Sequence, residues 1–192
     1  IWKTDSTTTS STAIALNKVS VDDLIVRFRD ARTDLKILAH HDKMVVRGQF
    51  SDAISELNLS GDISLAHWRQ GEHTLLENRS GHVSLAMEFG GADGVFRITK
   101  GQVNTGNMPI DLTLAVTPTT EGKFLDLRAN GLGLDLADVI AALPEGLTTP
   151  IKEYGMKGEV DLAIHYAGPL DKDGPELSVG AKITNGQMKE SH

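Results

Sequence analysis

Along most of this chain apolar and polar residues alternate with a period of two, the pattern of strands with one sheltered and one wet face. Leu57, Leu59, Ile63 and Leu65 share one parity across Gly61, while Asn58, Ser60, Asp62 and Ser64 take the other. The same reading holds for Val83, Leu85, Met87 and Phe89, for Ile110, Leu112, Leu114 and Val116, and for Leu125 and Leu127. It returns late in the chain at Val160, Leu162, Ile164 and Tyr166, then at Leu177, Val179, Ala181 and Ile183. Near the start the parity slips twice, from Ile14 and Leu16 to Val19 and Val21, then to Leu24, Val26 and Phe28. A bulge or tight turn explains each slip. His41-Asp42 reads as a turn before Met44 and Val46, and Asn185-Gly186 as the turn closing the series. Further turn signals stand at Ala92-Asp93-Gly94, Asn107-Met108-Pro109 and Thr119-Thr120-Glu121-Gly122. Segments recurring every roughly 8–12 residues with short connections predict about a dozen mostly antiparallel strands.

One stretch, 131–168, breaks this rhythm. Leu136, Val139, Ile140 and Leu143 fall at helical spacing, so they predict a short amphipathic helix with those four side chains buried. Asp135 is its expected N-cap, and Pro144 ends it. A second short helix is expected from Thr149 and Pro150 to Gly155, with Ile151 and Tyr154 on one face. The predicted fold is therefore mainly β: an antiparallel twisted or curled sheet, either an open groove or sandwich-like, with one or two short capping helices near 135–155. Residues 1–13 read as a linker or frayed terminus, and 14–192 as one β-rich domain.

Composition narrows the function classes. Aromatic residues make up only 5% of the chain, so Leu, Ile, Val and Ala must supply the apolar face. A net charge of -7 argues against a nucleic-acid partner, which needs clustered Lys and Arg. The absence of cysteine excludes disulfides, thiolate zinc sites and a Cys nucleophile. No apolar run approaches the roughly 20 residues that span a bilayer as a helix, and Ile1 in place of an initiator Met fits an excised segment of a longer protein.

Signs of catalysis are few. No G-x-S-x-G, H-E-x-x-H, P-loop or Rossmann fingerprint is present, and Gly131-Leu132-Gly133 reads as a strand-to-helix bend rather than a phosphate loop. His40 and His41 are adjacent in sequence and so face opposite ways on a strand, which predicts solvated turn histidines rather than a chelate. Asp171, Asp173 and Glu176 read as an acidic hairpin turn, not a calcium loop. Asp22, Asp23, Arg27 and Arg29 read as edge-strand charges, and Trp68 as a strand-end aromatic packing on a neighbour. No cofactor and no metal site are expected. A hydrolase rests only on scattered His, Asp and Ser, and would need a His within reach of both a carboxylate and a hydroxyl in one cleft.

The second half carries a resemblance. Leu136-Ala137-Asp138-Val139 running into Ala142-Leu143-Pro144, then Gly158-x-Val160-x-Leu162-x-Ile164 with Gly168, Pro175 and Leu177, resembles the C-terminal region of AsmA-like proteins. The phrases Leu16–Asp30 and Phe96–Val116 are similar to that family's repeated strand, turn and return strand. The resemblance covers about residues 14 to 188 and its motifs are structural rather than catalytic. It implies a β-rich periplasmic body of a Gram-negative envelope protein, tethered to the inner membrane by a segment that this sequence does not include. It further implies a non-enzymatic role in outer-membrane biogenesis and phospholipid homeostasis. The expected ligand is a phospholipid or other acyl chain, guided along an apolar groove, with other envelope proteins as possible partners. The expected lipid-facing residues are Leu112, Leu114, Val116, Val160, Leu162, Ile164, Leu177 and Val179. The alternative is a structural or protein-interaction scaffold without a ligand of its own.

Overall fold

The computed structural model describes residues 13–31, 34–51, 54–90, 94–143, 154–169 and 176–188. Among these, nine strands form a single antiparallel sheet in which every strand pairs with its sequence neighbours. They are β1 (Ile14–Asp30), β2 (Leu35–Phe50), β3 (Ile54–Gln70), β4 (His73–Gly90), β5 (Val95–Thr105), β6 (Met108–Thr119), β7 (Gly122–Asp135), β8 (Lys157–Pro169) and β9 (Glu176–Gln187). One helix, α1 (Leu136–Ala142), follows β7. The expected mainly β, curled antiparallel sheet with a short helix is what the chain forms. Its open form is the groove-like alternative, since no second sheet packs on the first among the described residues.

The strands are fewer and longer than predicted because parity slips that read as turns are irregularities inside strands. His41-Asp42 lies within β2, where the pairing with β3 shifts between His40 and Met44. Asn185-Gly186 lies within β9, Asn185 at φ 54. Asp23 in β1 and Asn78 in β4 also take left-handed backbone, at φ 54 and 52, a conformation that short Asx side chains tolerate better than other non-glycine residues. Each slip returns the following apolar residues to the same face. After Asp23, Leu24 and Val26 pair with His41 and Ala39, the side on which Ala39 meets Leu65 of β3.

Register therefore assembles apolar rows. One row runs through Leu16, Gly48, Leu57, Met87, Ile98, Leu114, Leu127, Tyr166 and Leu177, one residue from each strand. The next runs through Val19, Val46, Leu59, Leu85, Gly101, Leu112, Ala129, Ile164 and Val179. Their central members are half-buried although no layer covers them among the described residues, where the shelter comes from the sheet's own curl and from side chains along each row. Glycines on this face permit the close approach. A Cβ on Gly61 would lie 2.6 Å from the Lys43 carbonyl oxygen, and one on Gly81 would clash with that of Asn104.

Among the described residues, a closed core cluster forms at one end. Leu136 and Val139 of α1 pack with Met108, Leu134 and Val160, with Ile110, Ile140 and Leu162 against the cluster. Asp135 caps α1 as predicted, its carboxylate accepting from the Ala137 and Asp138 backbone N–H groups at 2.7 and 3.2 Å. Leu143 departs from expectation. It is the C-cap, where the backbone leaves the helix at ψ 155, and its side chain is 41% exposed rather than buried. Pro144 and the second predicted helix up to residue 153 lie outside the described residues, though Gly155 does take the expected left-handed φ of 52.

Candidate functional site

The apolar face is the first candidate surface. Leu112 and Ile164 share a row with Val179, and Leu114 shares one with Leu177. Val116 pairs with Phe96 and Leu125 in a third row, and Leu162 pairs with Gly131 and Ala181. All of these predicted wall residues point to one face. Their environments differ. Leu112, Leu114, Val116, Leu162 and Ile164 are half-buried, whereas Leu177 and Val179 on the outer strand β9 are each 60% exposed. Val160 is 2% exposed beneath α1 and belongs to the closed end of the face rather than to its open part.

Several further residues shape this face. Phe50 and Phe89 meet edge to face with centroids 6.0 Å apart. Ser55, the register partner of Phe89, is buried. Arg79, the partner of Leu65 on the apolar side, sends its Nη2 to the Ala141 carbonyl at 2.6 Å. Its Nε is buried without a hydrogen-bond partner among the described residues. His41, expected as a solvated turn residue, is instead 7% exposed on the apolar face, while His40 faces the other way beside Ser64 and is exposed. The separation of the two histidines to opposite faces is as predicted. The correction to His41 has a physical cause: the β2 irregularity continues the strand where a turn would have lifted the ring into water.

The polar face holds the titratable groups. Asp126 on β7 accepts from Arg128 Nε at 3.3 Å and lies 3.1 Å from His165 Nε2 on β8. Hydrogen bonding from the Arg128 side chain leads the causes that hold its carboxyl below the ordinary value of 3.8; its slight desolvation opposes this, and the Arg128 charge and His165 reinforce it. On β3 and β4, His82 places Nδ1 2.8 Å from Asp62 Oδ1 and Nε2 3.0 Å from Ser60 Oγ. Ser60 and Asp62 are two residues apart on one strand face, and His82 is the register partner of Asp62. This is a His within reach of both a carboxylate and a hydroxyl, but on an open sheet face rather than in one cleft, the His82 and Asp62 side chains being 46% and 77% exposed. Ser60 also lines a depression of about 470 Å3, whereas His82 and Asp62 stand outside it. The sequence signal was the alternation itself, which put Ser60 and Asp62 on the wet side without naming the strand opposite.

Trp68 pairs with Ile37 and Leu76 near one end of β3, as a strand-end aromatic would. Gly131-Leu132-Gly133 forms a bulge against β8, with Gly133 at φ 60 and its N–H donating to Asp161 Oδ1 at 2.8 Å. Asp171 and Asp173 lie outside the described residues, and Glu176 opens β9. No cluster of three or more metal-ligating side chains occurs among the described residues. No helix among them is long and apolar enough to cross a membrane. The chain matches no family model, no curated protein and no solved structure.

Proposed function

We propose that this chain is an AsmA-like β segment that binds or guides an acyl chain along the apolar face of its curled sheet, as part of a periplasmic, inner-membrane-anchored envelope protein serving phospholipid homeostasis. The observation that carries the reading is the pair of apolar rows that cross all nine strands with no second layer over them among the described residues. An aliphatic wall of this kind offers each methylene laid against it about 0.8 kcal/mol, so a partly covered chain gains several kcal/mol without any fixed headgroup contact. The half-buried state of Leu112, Leu114 and Ile164 also fits a face that stays soluble when empty.

Binding of a fluorescent fatty acid, with native mass spectrometry after mild purification, tests this. The expected result is uptake by the parent protein, loss in Leu114→Asp, and retention in Thr113→Asp, whose side chain points to the opposite face. No uptake by the folded parent, or equal uptake by both variants, overturns the reading.

A scaffold role is the second reading, favoured by β9. That strand pairs on one side with β8 and presents Leu177, Val179 and Ile183 at 48–60% exposure. An edge with no strand partner among the described residues and with exposed apolar side chains favours pairing with another segment. Cross-linking of β9 to another envelope protein without lipid uptake would select it.

A further inference from the structure

On the polar face, opposite the proposed lipid wall and independent of it, Ser60, His82 and Asp62 stand in the order that activates a serine nucleophile. With the His82 proton on Nδ1, Asp62 accepts it at 2.8 Å, and Nε2 is left to accept the Ser60 hydroxyl proton at 3.0 Å. Both imidazole nitrogens are thus committed, one to an orienting carboxylate and one to a hydroxyl. The sheet fixes the geometry, because Asp62 and His82 are register partners and Ser60 lies two residues from Asp62 on the same face of β3.

Ser60 is also where this relay meets a depression of about 470 Å3, within the range of small-molecule sites. Register lays Arg47, Asn58, Ala86 and Lys100 side by side across β2 to β5, with Ser60, Ser84 and Gln102 in the adjoining row. The floor is small, at Ala86 and Ser84, and the lining holds two cations and no carboxylate. Glu56 and Glu88 occupy the row beyond, where Glu88 faces Arg97. In a chain of net charge -7, this is a place where an anionic group is attracted.

We propose that Ser60 is the nucleophile of an esterase site for small carboxylic esters that carry a second, anionic group. Ser60 Oγ bonds to the ester carbonyl carbon as its proton passes to His82 Nε2. Asn58 and Lys100 supply N–H donors to the oxyanion. Collapse breaks the bond to the leaving oxygen, which takes the proton from His82. Water then adds to the acyl carbon, giving its proton to His82, and the Ser60 ester bond breaks with return of that proton, releasing the acid. Asp62 is a positioning residue, reached only through His82.

The test uses a fluorophosphonate probe and two chromogenic esters, 4-nitrophenyl acetate and mono-4-nitrophenyl succinate. Expected results are covalent labelling at Ser60, read by peptide mass spectrometry, and succinate ester turned over faster than acetate. The rate should fall about tenfold or more in Ser60→Ala and in His82→Ala, with Ser64→Ala unchanged and melting curves matched. In Lys100→Gln the preference for the succinate ester should disappear. Labelling at other serines, no labelling, or an unchanged rate in Ser60→Ala overturns the site. Equal rates on the two esters overturn the anionic substrate class. If Ser60→Ala fails to fold, labelling of the parent protein decides.

Discussion

Arg79 Nη2 donates to the Ala141 carbonyl oxygen at 2.6 Å, joining strand β4 to the last turn of α1 across 62 residues of sequence. The helix has no basic residue of its own in that turn, so Arg79 supplies the cation that a helix C-terminus favours. It does so from the apolar face of the sheet, where an arginine would otherwise be out of place. Arg79→Met keeps the packing stem and removes the charge and donor. The expected cost is about 1–2 kcal/mol, measured as a fall in midpoint on chemical denaturation. No change would mean that α1 is held by its apolar contacts alone.

Those contacts set the second prediction. Leu136 and Val139 are 6% and 8% exposed, and Ile140 packs against the same cluster, while Leu143 is 41% exposed. An aspartate at Ile140 would place a carboxylate against Met108, Leu134 and Val160 with nothing to pair it. Ile140→Asp is therefore expected to unfold the helix-capped end or aggregate the protein. Leu143→Asp should melt within a degree or two of the parent. Equal thermal midpoints for parent and Ile140→Asp would remove α1 from the account of stability.

The contrast between Ile140 and Leu143 shows what was readable in the chain. Helical spacing of four apolar residues located α1 and its Asp135 cap, because both depend on a few neighbouring residues. It could not show that the backbone turns extended at Leu143, which is set beyond the periodic pattern. Strand parity was similarly readable, and it placed the candidate wall residues from Leu112 to Val179 on one face. Strand count was not, because an Asx residue at a parity break makes either a turn or an in-strand slip. At Asp23, Asn78 and Asn185 it makes a slip. The Ser60, His82 and Asp62 constellation needed register, which brings His82 opposite Asp62 over a separation of 20 residues.

Asp126 gives a pH-dependent prediction. Its carboxyl is held below the ordinary value of 3.8, chiefly by the Arg128 side-chain hydrogen bond. A depressed folded-state pKa means that the ionised form is favoured by folding. The stabilisation is present above the unfolded pKa and is lost as pH falls through the folded one. Asp126→Asn should accordingly be less stable than the parent near neutrality, and the two should converge below about pH 4. The side chain is 36% exposed, so solvent screening keeps the difference small. Denaturation midpoints that stay parallel into acid would contradict the assignment.

His41 carries the last prediction. It sits 7% exposed on the apolar face, paired with Leu24, within the β2 irregularity that leads to Met44, and its Nδ1 has no hydrogen-bond partner among the described residues. A buried polar atom without a partner costs free energy that an apolar side chain of similar size does not. His41→Leu is expected to raise stability by about 1 kcal/mol, seen as a higher denaturation midpoint with an unchanged denaturant slope. His40→Leu, on the exposed side of the same strand, should leave the midpoint nearly where it was. If instead His41→Leu is destabilising, the ring makes a hydrogen bond in solution, and the irregularity in β2 exists to present that ring rather than to keep the apolar residues of β1 and β2 on one side.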